Sequence, residues 1–296
     1  MDQELQKKEK ARWRVLAILG FFATFFSFLL ICAAVAQATV MNPDYFYKKA
    51  QTSGYVAACH DQLTQVFASY GAASNFDAAV FEPVASEEKV LETVAQNIAY
   101  LYGTGSAVNY DDYGEQVNQL LLQNVEERGI EITDGIREGV QSLADSCEDE
   151  FRNVTTIPFL EFLIRGLRAA RGPVLVVLVV LAVILAALLA FMWLLTRSLA
   201  RLLPFLIDVC AALCILCAAL PTLALSQRVL ERVNITPETV RLLLVGYGNG
   251  VLQSFYPVLA VLAVITALLA VALWRLNKGQ AQPQQPKQNW NFRKEG

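Results

Sequence analysis

Four long apolar runs constrain this chain more than any other feature of its sequence. They cover residues 15–40, 173–195, 202–225 and 257–276. A helix rises about 1.5 Å per residue, so each run is long enough to cross the roughly 30 Å of hydrocarbon in a bilayer. The composition agrees, because the chain is 55% hydrophobic and only 17% charged. We therefore predict an all-α membrane protein with four transmembrane helices.

The charged residues between these runs predict how the chain is threaded. Residues 1–14 carry five Lys and Arg, whereas residues 41–172 carry nine Lys and Arg against twenty Asp and Glu. Positive charge favours the cytoplasmic side, so we expect both termini in the cytoplasm and residues 41–172 outside the cell membrane. Three arginines just before the second run favour the opposite orientation: Arg165, Arg168 and Arg171. We predict the orientation from the charges before the first run, because the first span usually sets the orientation of the whole chain.

The first run also shares features with a secretory signal peptide. Basic residues precede it, and Ala36-Gln37-Ala38 fits a small-residue cleavage site. The run is longer than the roughly 7–15 apolar residues of a signal peptide, which favours an uncleaved anchor.

Residues 41–172 predict a helical domain. Apolar residues recur there every three or four positions in four segments, which is the period of an amphipathic helix. The four stripes consist of Val56, Cys59, Leu63, Val66 and Tyr70; of Val90, Val94, Ile98 and Leu101; of Val117, Leu121 and Val125; and of Ile136, Val140, Leu143, Cys147 and Phe151. Four such helices with short links favour an extracytoplasmic antiparallel bundle between spans one and two. Its first helix is expected to continue from span one.

Capping and turn residues mark the ends of these helices. Ser86 is a candidate N-cap of the second helix, Asp111 or Asp112 of the third, and Thr133 of the fourth.

The segment 158–171, which returns to the membrane, is amphipathic, and Gly172-Pro173 is expected to break the helix before the second span. It fits either a helix on anionic lipid head groups or a stalk that packs on the bundle, and we favour the stalk.

The cysteines divide by location. Cys59 and Cys147 are the two cysteines of the outer domain, and each lies on a core stripe. Neighbouring helices that both stand on the membrane would place the two sulfurs at comparable heights, so we predict a disulfide between them. The alternative is two buried free thiols. Cys210, Cys214 and Cys217 share one face of the third span, where packing is a better interpretation than a metal or redox site.

Few other residues are candidates for catalysis or metal binding. His60 stands between Cys59 and Asp61, but successive helical side chains point about 100° apart and cannot converge as a triad. The acidic residues Asp145, Glu148, Asp149 and Glu150 fit a divalent-cation site or, as we favour, a solvated face. We therefore expect no enzyme activity, no cofactor, no metal and no nucleic-acid binding.

Asp208 is the one carboxylate inside an apolar run. Ionisable residues in spans are candidates for ion or proton paths. Near the end of a span, however, a carboxylate can also be hydrated or paired with Arg197 or Arg201. Asp208 is therefore the candidate functional residue of the membrane part.

Residues 226–256 are expected to form an outer loop. Within it, Val245-Gly246-Tyr247-Gly248 resembles the selectivity filter of potassium channels, with residues 237–244 in the place of the pore helix. Leu244 replaces the threonine of that motif, so one ring of coordinating oxygens is missing. A glycine-rich loop that turns the chain back is the favoured alternative.

The last residues, 277–296, are rich in Gln, Asn and Pro and predict a disordered cytoplasmic tail.

The whole layout resembles a group of uncharacterised bacterial four-pass membrane proteins. The resemblance rests on Asn42-Pro43-Asp44-Tyr45-Phe46 after the first span, a helical loop, and three spans near the C-terminus. It implies a topology and a cell-membrane location. We expect the outer domain to bind or sense an envelope component, with the bilayer and a membrane or envelope protein as partners. The alternative is a channel or transporter component that uses the third and fourth spans.

Overall fold

A computed structural model describes residues 2–156, 158–232 and 235–280. Every regular element in these ranges is a helix, which confirms the all-α prediction. The elements are Asp2–Thr39 (α1), Pro43–Thr52 (α2), Tyr55–Ser74 (α3), a 3₁₀ turn at Ala78–Phe81, Glu82–Ala85 (α4), Glu87–Tyr102 (α5), Tyr110–Glu127 (α6), Asp134–Thr155 (α7), Pro158–Thr196 (α8), Leu199–Ser226 (α9), Glu238–Gln253 (α10) and Phe255–Gln280 (α11). The predicted disordered tail falls mostly on residues 281–296, which lie outside the described part, and residues 277–280 continue α11.

Four helical stretches are long and apolar enough to cross a membrane, as predicted. They are Ala11–Thr39, Gly172–Thr196, Leu199–Ser226 and Glu238–Lys278. The last has 41 residues, which at about 1.5 Å each is roughly twice the thickness of the hydrocarbon. It contains both α10 and α11, and α11 alone carries the predicted fourth run.

The chain forms two compact units, and the first contains most of the apolar helices. It comprises the chain up to Ile31, Val180–Ala219, and the chain from Tyr256. Its packing brings α9 against α1, since Val209 and Leu213 bury Ala23 completely, and the rings of Trp13 and Phe205 lie 5.1 Å apart.

The second unit comprises Cys32–Val179 and Leu220–Phe255. One apolar core contains residues from each of the helices α2 through α7, from the first part of α8, and from α10. We call α2–α7 together with α10 the helical domain. All four predicted stripes contribute to this core, and six of their members have no exposed surface: Cys59, Leu63, Val90, Val117, Leu121 and Cys147.

Two of the predicted caps are confirmed and one is wrong. Ser86 Oγ accepts a hydrogen bond from the Lys89 amide at 3.3 Å, and Thr133 Oγ1 accepts one from the Ile136 amide at 3.4 Å. In the third helix, α6, Asn109 occupies the N-cap position, so Asp111 and Asp112 lie in the first turn. Their charges favour that turn because a helix start carries partial positive charge.

The first helix of the domain does not continue from span one, contrary to expectation. The chain leaves helical geometry after Thr39, and Asn42 and Pro43 start α2 as a separate helix. Gly54 then separates α2 from α3 with φ +79°, a conformation that favours glycine.

The predicted break at Gly172-Pro173 is also wrong. The helix α8 runs without interruption from Pro158 to Thr196 with Pro173 inside it. Spanning helices tolerate proline because neighbouring groups satisfy the freed carbonyl. Near its start, Ile164 is buried in the domain core while Phe162 is 83% exposed. Ile164 therefore joins this part of α8 to the domain core, while Phe162 faces away from it.

Candidate functional site

The contact between α2 and α10 is the candidate functional feature of the helical domain. It begins at Asn42, whose Oδ1 accepts a hydrogen bond from the Asp44 amide at 3.0 Å and caps α2. Pro43 suits the first turn because the amide it lacks would have no helical partner. This cap fixes the start of α2, so the next two residues, Tyr45 and Phe46, point toward α10.

An aromatic cluster forms where α2, α5 and α10 meet. The ring of Phe46 lies 4.8 Å from that of Tyr247 and 6.4 Å from that of Tyr102, while the Tyr45 ring lies 6.1 Å from Tyr247. The Tyr102 hydroxyl donates to the Val40 carbonyl at 2.9 Å. Burial raises the pKa of Tyr102 to about 12, so this donor stays protonated at neutral pH.

Glycines let α10 approach α2 closely. A Cβ at Gly246 would lie 2.6 Å from the Ser53 Cβ, and one at Gly250 would lie 2.8 Å from the Tyr45 hydroxyl oxygen. Real Cβ atoms do not come this close to other heavy atoms. A larger residue at Gly246 would therefore force α10 away from Ser53, whereas at Gly250 the ends of the Lys49 and Tyr45 side chains can move aside. Gly246, one of the two glycines of the filter-like motif, thus lies on the face of α10 that packs near Ser53, whereas Gly248 faces Leu230.

The filter-like motif is therefore neither a pore loop nor a glycine-rich loop. Val245–Gly248 lie inside α10, which runs from Glu238 to Gln253. Helical carbonyls accept hydrogen bonds from amides four residues later, whereas a potassium filter needs its carbonyls turned toward the ion. This removes the main sequence support for the channel alternative.

A polar contact ends the same interface. The hydroxyls of Tyr45 and Ser254 lie 3.2 Å apart, and the Ser254 hydroxyl also donates to the Gly250 carbonyl at 3.0 Å. Ser254 is the single residue between α10 and α11. The helical domain therefore holds the residue at which the chain leaves α10 for α11.

The predicted disulfide between Cys59 and Cys147 is not supported, since both are free thiols. The register of the two helices explains why. Cys59 Sγ lies 3.8 Å from the Val154 carbonyl, and Gln62 bonds to Glu150 at 3.3 Å, so α3 and α7 run antiparallel with Cys59 level with Val154. Cys147 is seven residues earlier, about 10.5 Å along α7. A disulfide requires Cα atoms within about 7 Å.

Cys59 instead helps to end α7. The Val154 carbonyl lies in the last turn of α7, where carbonyls lack helical partners, and it accepts from Cys59 and from the Tyr55 hydroxyl at 3.4 Å. Burial raises the pKa of Cys59 to about 12 and that of Cys147 to about 12. Neither is a reactive thiolate at neutral pH.

His60 faces away from Cys59. Its Nδ1 lies 2.7 Å from the Ala85 carbonyl at the end of α4, and because a carbonyl only accepts, that nitrogen carries the proton. The two side chains bond to different carbonyls, so the structure does not bring them together.

The acidic residues of α7 are distributed among separate partners. Glu148 pairs with Arg152, Asp145 accepts from Gln141 at 2.7 Å, and Glu150 accepts from Gln62. Desolvation raises the pKa of Glu148. Among the described residues, no group of three or more Cys, His, Asp or Glu side chains is placed to hold a metal ion.

Asp208 lies on the exposed side of α9, and no hydrogen bond or ion pair involves it in the described part of the chain. The pairing considered with Arg197 or Arg201 is therefore not formed. By contrast, Cys214 on another face of α9 points to Thr266 of α11, with 3.9 Å between sulfur and oxygen.

Two adjoining cavities lie along α7 at the end of the domain away from Asn42; both border the end of α3, and the larger also borders the end of α6. Their volumes are about 270 and 250 Å³, and they share Ser74, Gly139 and Leu143. Three exposed acidic side chains lie on one side of α7, next to these cavities: Glu138, Asp145 and Asp149. These cavities offer a concave surface with an acidic border.

Comparison with known proteins adds no assignment: no protein-family model matches the chain, and neither curated proteins nor solved structures gave a significant match. The resemblance to four-pass bacterial proteins stays a prediction.

Proposed function

We propose that this membrane protein carries an extracytoplasmic helical domain that binds or senses an envelope component, in a cell membrane with both termini inside. The observation that carries the proposal is the close contact of α2 with α10, which ends at Ser254, one residue before α11 begins. A domain that only rested on the membrane surface would not need to pack against α10, the segment that leads into the fourth span. Here a change of α2 or α3 on binding is passed directly to the start of α11.

The charges support the outer location. The segment between the first two apolar runs has an excess of eleven acidic residues, and translocated segments are poor in Lys and Arg relative to cytoplasmic ones. The cavities between α3 and α7 supply a surface where a partner can bury side chains. Binding, and not catalysis, is the activity that such a surface supports.

Affinity capture of the full-length chain under mild detergent tests this function. We expect an envelope protein to be captured with the wild type and lost with Ser142→Arg, which places a long charged side chain in the cavity between α3 and α7. Gln123→Arg on the exposed side of α6 is the matched control, since it adds the same charge away from the cavities. Equal capture by both variants, or no captured protein at all, would contradict the proposal.

A further inference from the structure

Asp208 is an ionisable residue in an apolar span, and it has no hydrogen bond or ion pair with any residue that the structure describes. The apolar run begins at Leu202, six residues or about 9 Å before Asp208 along α9. An aspartate side chain has a single methylene group and cannot reach from that depth to the membrane surface as Lys and Arg do. Insertion experiments place Asp among the costliest residues inside a span.

The position of Asp208 on α9 turns it away from the other spans. Val209 and Leu213 face α1, and Cys214 faces α11. Arg201, Asp208, Ile215 and Ala219 follow each other along one exposed stripe of the same helix. Asp208 therefore faces the space beside the protein, where a bilayer would place lipid.

No group of the described chain neutralises this carboxylate. Two threonines of the spans bond within their own helices and not to Asp208: Thr24 donates to the Gly20 carbonyl at 3.0 Å and Thr266 to the Leu262 carbonyl at 2.7 Å. Arg201 is seven residues earlier, about 10.5 Å nearer the start of α9, and helical side chains lean toward the helix start. Arg201 therefore extends away from Asp208.

We propose that this stripe of α9 binds a transmembrane helix of a different protein, through a Lys or Arg of that helix at the depth of Asp208. A cationic lipid group cannot supply the charge, because head groups lie outside the hydrocarbon. A second copy cannot supply it either. Across its four apolar runs this chain has a single Lys or Arg, Arg275, which is the next-to-last residue of the fourth run and therefore lies at a span end. The contact lies on α9 and does not depend on the role of the helical domain.

Photo-crosslinking in membranes of cells that make the protein natively tests this contact. A photoreactive residue replaces Ile215, which is 67% exposed on the same stripe, and in the control it replaces Val183, which is 63% exposed on α8. We expect one crosslinked species from position 215, absent from position 183. Asp208→Asn, which keeps the shape and removes the charge, should lower its yield at least tenfold, and Asp208→Glu should retain it.

Mass spectrometry of the crosslinked peptide decides the chemistry of the partner. We expect an apolar segment of another protein with a Lys or Arg in it. Exchanging that residue for Asp together with Asp208→Lys should restore the crosslink lost with either change alone. A crosslinked mass of two copies, a partner span without Lys or Arg, a yield unchanged by Asp208→Asn, or no crosslink at all would each overturn the proposal.

Discussion

Cys59 shows how a single residue combines packing with the completion of a neighbouring helix. It was predicted from its stripe to be buried, and it is completely buried. Its thiol also contacts the Val154 carbonyl in the last turn of α7. The periodicity of α3 determines which residues face the core. The height of Cys59 against α7 depends on where each helix begins, and that offset separates it from Cys147.

Both thiols of the domain should be free and slow to react in the folded protein. A pKa of about 12 in place of 9.0 lowers the thiolate fraction at pH 8 by about a thousandfold. We expect alkylation of Cys59 and Cys147 to need denaturation but no reductant, as measured by peptide mass spectrometry. A peptide linking Cys59 to Cys147 under non-reducing conditions would contradict the register of α3 and α7.

At the scale of elements, α10 is the helix that changes the interpretation of the molecule. Its sequence contains three glycines and a filter-like motif, features that favour a loop. It is helical because Leu243, Val240 and the Tyr247 ring gain burial against α2 and α3, which offsets the low helix propensity of glycine. Packing and not local propensity therefore determines this element.

Because α10 lies close to α2, a Gly→Ala substitution should have opposite effects on stability at two positions of the domain. Gly139→Ala in α7 has no atom within 4 Å of the new Cβ and should be neutral or stabilising by about 0.5–1 kcal/mol. Gly246→Ala should destabilise the contact by about 1–3 kcal/mol, because the Cβ meets Ser53. Hydrogen exchange followed by mass spectrometry should then show amides of α10 exchanging roughly 5- to 150-fold faster in Gly246→Ala. Unchanged protection of α10 would contradict the packing.

The sequence predicts some elements well and others poorly, for identifiable reasons. The stripes of α3, α5, α6 and α7 and the caps at Ser86 and Thr133 are local signals, and the structure agrees with them. The sequence does not predict that α8 continues through Pro173, because the effect of a proline on a helix depends on the surroundings of that helix. The roles of Tyr45, Phe46 and Gly246 could not be predicted, because α2 and α10 are about 190 residues apart in sequence and no local pattern shows that they meet.

At the scale of the whole molecule, the chain separates into a unit of apolar helices and a unit dominated by the helical domain. The second unit is discontinuous in sequence, because α10 belongs to it although α10 follows the third span. The segment before span two and the segment after span three therefore pack into one unit, and we predict that this unit lies on one side of the membrane. The charge pattern predicts that this side is the outer one.

Threading can be measured with cysteines introduced into a background without Cys59 and Cys147. With both termini cytoplasmic, Glu4→Cys and Gln284→Cys should resist a membrane-impermeant thiol reagent in intact cells and react after lysis. Glu127→Cys at the exposed end of α6 should react in intact cells. Labelling of either terminus before lysis would show that the positive charges before span one do not set the orientation.

Oxidative crosslinking tests most directly whether α10 belongs to the helical domain. Ser53→Cys with Gly246→Cys, in the background without Cys59 and Cys147, places two Cβ atoms 2.6 Å apart, so a shift of α10 by about 1–2 Å reaches the separation that a disulfide needs. Mild oxidation should join them in most molecules, whereas Ser53→Cys with Gly248→Cys should stay unlinked because Gly248 faces Leu230. Peptide mass spectrometry would identify the linked pair. Failure of the first pair to crosslink, or equal crosslinking of both pairs, would show that α10 does not pack on α2.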